Sequence, residues 1–162
     1  MPVKNSSAAT LTILSDREVV MTRIFDAPCE LVYKAHTDPE LIPQWWGLRN
    51  NATIVQKLDV RPGGTWRFIQ RDAQGNEFAF NGVYREVVLL ERLVNTFEFE
   101  AMPGHIILDT SVFEELPDGG TKLTATSLFE TVEDRDGMID SGMEGGSNES
   151  WDRLAELLTV LA

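Results

Sequence analysis

The chain has 162 residues, 43% of them hydrophobic and 9% aromatic, and a formal net charge of −12. That length can bury a substantial core in one domain spanning 1–162. The acidic balance excludes nucleic acid, whose phosphates require clustered Lys and Arg, and anionic membrane surfaces.

Residues 1–9 are polar and read as a frayed start, without the apolar core or cleavage pattern of a signal peptide. No run approaches the roughly 20 apolar residues of a membrane span, so a soluble, cytoplasmic protein without membrane insertion is expected. Leu11 to Phe25 alternates as one long strand, bent near Ser15 and Asp16. Asp26-Ala27-Pro28 opens a helix with Leu31, Val32, Ala35 and His36 inward, proline suiting a first helical turn. Asp38 as N-cap with Pro39 behind it starts a second short helix that runs to about Trp46 and stops at Gly47.

Strands follow, separated by turn signals. They run over Thr53–Val60, Thr65–Arg71, Glu77–Val88, Arg92–Glu100, His105–Glu115 and Thr121–Phe129. The last stretch, from about Asp134 to Leu161, is a helix. Trp151, Leu154, Ala155, Leu158 and Leu161 form one apolar stripe on its period. Extended backward, that stripe meets Ser147 and Met143 among Gly142, Gly145 and Gly146, so the inner face is bulky at one end and bare at the other. Interior glycines cost about 1 kcal/mol each against alanine. Either the backbone packs close to something there, or the bare patch leaves room.

The order β-α-α-β-β-β-β-β-β-α predicts an α+β fold. A curved antiparallel sheet of about seven strands wraps a long C-terminal helix, with two short helices after the first strand. The expected lining of the space between sheet and helix is Trp45 and Trp46 at a mouth, then Trp66, Phe68, Phe80, Tyr84 and Phe97 from the sheet. Met138, Met143, Ser147 and Trp151 come from the helix, and His105 completes the expected ligand-binding set. Apolar pockets with a few orienting polar groups suit small hydrophobic or amphipathic molecules.

Several motifs resemble one family. They are Arg23-Ile24-Phe25-Asp26-Ala27-Pro28, Thr37-Asp38-Pro39, Trp45-Trp46-Gly47, Asp59 to Trp66 with its Arg-Pro-Gly-Gly turn, Gly82-Val83-Tyr84, Glu91-Arg92-Leu93 and Met143-Glu144-Gly145. Together they resemble the activator-of-heat-shock-ATPase homologues, of the START, polyketide-cyclase and birch-allergen superfamily. The resemblance implies the helix-grip fold and a hydrophobic ligand cavity, and little about reaction. The chain departs from the pattern at His36, where Trp or Phe is usual, and at Asn148-Glu149-Ser150-Trp151, where a Gly-Trp step is usual. The eukaryotic activators carry a further N-terminal domain that meets the chaperone. This chain is read without one, so chaperone activation is not expected; a homodimer is left open.

No catalytic constellation stands out. His36 and His105 are the only histidines, and neither has a Cys or second His at ligand spacing, so no metal and no cofactor is expected. Ser127 and Ser147 lack a Ser-His-Asp context. Cys29, the single cysteine, allows no intramolecular disulfide. Asp59 and Arg61 read as a structural pair, and the acidic run Glu130 to Asp136 as favourable charge at a helix N-terminus. Three readings remain. One is a binding module. Another is a cyclase- or hydrolase-type enzyme using Tyr84, His105 or Arg67 inside the cavity. The third is a stress- or chaperone-associated protein.

Overall fold

The structure, a computed structural model, describes residues 9–161. Eight strands form a single antiparallel sheet: β1 (Thr10–Ile13), β2 (Glu18–Phe25), β3 (Ala52–Leu58), β4 (Thr65–Arg71), β5 (Glu77–Val88), β6 (Arg92–Phe99), β7 (Ile107–Glu115) and β8 (Thr121–Leu128). Their order across the sheet is β1-β2-β8-β7-β6-β5-β4-β3. Six strands thus run as a meander, and β2 returns to pair with the last of them. Helix α1 (Cys29–Thr37) bridges the two ends of that arrangement, and α2 (Val132–Asp140) and α3 (Met143–Leu161) close the chain.

The α+β helix-grip expectation holds, with three differences. The long first strand is a hairpin: Leu14 donates its N–H back to the Glu18 carbonyl at 3.0 Å, so the bend near Ser15 is a full turn and the sheet gains an eighth strand. The second short helix shrinks to a 3-10 turn over Ile42–Gln44. Pro43 has no N–H to complete a helical ladder there. The terminal helix breaks at Gly142, whose φ of +97° is a left-handed value that only glycine adopts freely. Thr131 caps α2, its hydroxyl accepting the Asp134 N–H at 3.0 Å. The expectation of fraying falls mostly on residues 1–8, outside the described residues. Ala9 departs from it: it is buried, and its N–H reaches Asn148 Oδ1 at 2.5 Å.

Alternation decides what faces the helix. On β2 the inward set is Val19, Met21, Arg23 and Phe25. Register shifts between Val55 and Lys57 and between Tyr84 and Glu86 bend β3 and β5 and help the sheet curl. The core lies at one end of the concave face. There Trp151, Leu154, Ala155, Leu157 and Leu158 of α3 are buried with Phe25, Val32, Trp45 and Trp66, and Phe25 meets Trp151 edge to face at 6.0 Å. No residue of α3 before Trp151 is buried.

Polar ties fix α3 over the sheet. Arg23, only 5% exposed, places Nη1 2.6 Å from Asp152 Oδ1 and its guanidinium over the Phe25 ring. Arg153 donates to the carbonyls of Gly47 and Leu48, and Ser150 to that of Gly47. Among the described residues no helix is long and apolar enough to cross a membrane.

Candidate functional site

Between the sheet and the N-terminal half of α3 lies a cavity of about 630 Å³. It exists because the two halves of α3 differ. The C-terminal half fills the concave face with leucines. The N-terminal half presents Gly146 and Ser147, and a Cβ built on Gly145 or Gly146 would meet no atom within 4 Å. The glycines leave room; they do not serve close packing.

Eleven of the twelve residues expected at the site line this cavity: Trp45, Trp46, Trp66, Phe68, Phe80, Tyr84, Phe97, Met138, Met143, Ser147 and Trp151. The rings form one continuous wall. Trp46 sets its edge on Phe68 and Phe80 at 5.1 and 5.5 Å, Trp66 lies 4.7 Å from Phe68, and Phe80 lies 5.4 Å from Phe97. Trp45 is less a mouth residue than a fixed part of the wall. It is buried, and its indole N–H donates to the Ala35 carbonyl at 2.9 Å.

His105 is the exception. β7 begins at Ile107, so His105 stays in the preceding loop, half exposed, with Nδ1 2.9 Å from Asp134 Oδ1. Arg67 is likewise not in the cavity: it lies on the other face of β4, in a two-pronged pair with Glu100 at 2.8 and 2.9 Å. Arg67 and Asn81 together hold the Glu100 carboxyl down at about 2.

The cavity also carries a polar row that the aromatic pattern hid. Tyr84 stands opposite Asn95, Asn95 opposite Asp109, and Asp109 opposite Ser127, across β5, β6, β7 and β8. All four line the cavity. The Ser127 hydroxyl donates to Asp109 Oδ1 at 2.7 Å. Asp109 is half-buried at the cavity wall. Burial pushes its carboxyl up to about 6, partly offset by the Ser127 hydrogen bond. Burial, with a smaller contribution from Tyr33, raises the Tyr84 phenol, which stays a neutral donor.

His36 is also in the lining. Its Nδ1 is 2.8 Å from the Val32 carbonyl, which can only accept, so Nδ1 carries the proton. Burial outweighs that bond and lowers the imidazole to about 4, so it is neutral at ordinary pH. Gln70 also lines the cavity. It is 5% exposed, its amide nitrogen donates to the Trp46 carbonyl at 3.3 Å and to Thr53 Oγ1, and its Oε1 is buried without a hydrogen-bond partner among the described residues.

Asp109 and Asn95 were legible in principle. On β7 the set Ile107, Asp109, Ser111, Phe113 shares one face, and its apolar ends mark that face as inward. A carboxylate inside such a set is the signal.

Residues 26–159 match a family model described as activator of Hsp90 ATPase homolog 1-like protein. A crystal structure of a protein from Rhodobacter sphaeroides is 23% identical with a TM-score of 0.89, covering 94% of this chain and 99% of that one. A solution structure of a protein from Staphylococcus epidermidis is 27% identical with a TM-score of 0.81, covering 94% and 95%. DynU16, a protein in the dynemicin biosynthetic locus, shares the fold at 19% identity and a TM-score of 0.66, over 90% of this chain and 48% of that one. No curated protein matches the chain.

Proposed function

The chain belongs to the family of activator of Hsp90 ATPase homolog 1-like proteins, and from that premise we propose that it binds a small amphipathic molecule in the cavity between its sheet and α3. The observation that carries this reading is the bare face of α3. Gly146 opens onto empty space in the cavity, and the cavity's other walls are aromatic rings. Glycines in a helix interior weaken the helix, and nothing in the packing requires them here. A volume of about 630 Å³ sits within the ordinary range for small-molecule sites. Met138 and Met143, unbranched and flexible, suit a wall that adjusts to its contents.

A titration with the neutral, apolar fluorophore N-phenyl-1-naphthylamine tests the reading. Saturable enhancement with a blue-shifted emission is expected. Enhancement that never saturates, or none, overturns it.

One observation favours a second reading, a cyclase- or hydrolase-type enzyme. Asp109, titrating near 6 beside the Ser127 hydroxyl, can take or give a proton at neutral pH. This reading predicts that molecules eluted from the protein include both a substrate and its rearranged or hydrolysed product. A single unaltered species speaks for binding alone.

A further inference from the structure

The walls of the cavity accept hydrogen bonds and negative charge far less evenly than they accept hydrocarbon. Among the described residues Asp109 is the only carboxylate in the lining, and no Lys or Arg is there to oppose it. His36, the one imidazole in the lining, is held neutral by burial. Gln70 adds a buried carbonyl oxygen that still lacks a donor. An anionic head group entering this space would lose its water and meet a carboxylate with no cation to compensate, which is strongly unfavourable. A cationic head group would meet Asp109, the Ser127 oxygen hydrogen-bonded to it, and the electron-rich faces of the aromatic wall.

Resting on the cavity reading above, we propose that the site selects a primary or secondary amine on an apolar body, with its ammonium group against Asp109, and rejects anionic amphiphiles such as fatty acids. The polar row fixes where the head lies. Ser127 already donates to Oδ1, which orients the carboxylate and leaves Oδ2 to receive the ligand. The hydrocarbon then extends along Phe97, Phe80 and Phe68 toward Trp46. The chain's net charge of −12 favours the approach of cations over anions in the same sense. Binding also settles the protonation of Asp109, because an adjacent ammonium favours the ionised form.

The test is displacement of bound N-phenyl-1-naphthylamine by decylamine, decanol and decanoate at about pH 8, where the amine is protonated and the acid ionised. These share a chain and differ in the head. Decylamine is expected to displace the probe at roughly one tenth the concentration decanol needs, and decanoate to be the weakest. In Asp109→Asn, decylamine should fall to the level of decanol, with circular dichroism reporting the fold. Decanoate matching or exceeding decylamine on the wild type overturns the inference even if the variant does not fold, while probe binding still supports the cavity reading. An amine preference that survives in a folded Asp109→Asn overturns the placement of the head. Failure of the probe to bind at all removes both readings.

Discussion

Asp109 on β7 faces Ser127 on β8 across one rung of the ladder and accepts its hydroxyl at 2.7 Å, on the concave side of the sheet. This places an ionisable carboxylate in a lining shared with Phe97, Ala125 and Met143. A group buried against its own ionisation destabilises the fold whenever it is charged, so the position bears on both stability and binding.

Replacing Asp109 with Asn should therefore stabilise the empty protein at neutral pH and above. In the unfolded chain this carboxyl loses its proton near its ordinary value of 3.8, and in the folded chain near 6. Between those values the folded state binds more protons, so its stability falls as pH rises. Above about pH 6 the loss is complete, about 3 kcal/mol; below about pH 4 it is absent. Urea midpoints of the two proteins should coincide near pH 4 and separate in favour of the variant by pH 8. A variant less stable at pH 8 would show that the ionised form is held favourably.

Leu154 on α3 is fully buried in the solid end of the core. Truncation to Ala should cost about 2–5 kcal/mol, read from the denaturation midpoint at constant slope. A midpoint unchanged within error would mean that α3 does not pack as described.

Gly82 on β5 is tightly confined. A Cβ there would lie 1.9 Å from the Thr96 carbonyl oxygen and 2.5 Å from Trp66 Nε1, and those two atoms are themselves hydrogen-bonded at 3.2 Å. The substitution Gly82→Ala should cost about 1–3 kcal/mol and shift the Trp66 emission by breaking its bond. Full stability with unchanged fluorescence would contradict this part of the sheet.

The sequence made most of the fold legible because its signals are periodic. Alternation gave the inward rings Trp66, Phe68, Phe80 and Phe97, and the helical stripe gave Trp151, Leu154 and Leu158. The departures come from single residues that local patterns average over: Pro43, which stops a helix, and Gly142, which breaks one. The polar row stayed hidden for a different reason. Asn95, Asp109 and Ser127 lie on three different strands and come together only through the register, which no single segment encodes. His105 was misplaced because strand ends are set by pairing, and the β6–β7 ladder stops at Phe97 and Ile107.

The central claim is that the bare face of α3 makes space for a ligand, and two adjacent glycines test it directly. Gly145 and Gly146 both open onto free space, but only Gly146 lines the cavity. Leucine at either position should strengthen the helix by about 1 kcal/mol, so stability rises in both variants. The measurement is saturable binding of N-phenyl-1-naphthylamine to each. The account predicts that Gly146→Leu abolishes it and Gly145→Leu leaves it as in the wild type. Undiminished binding to a folded Gly146→Leu would contradict it.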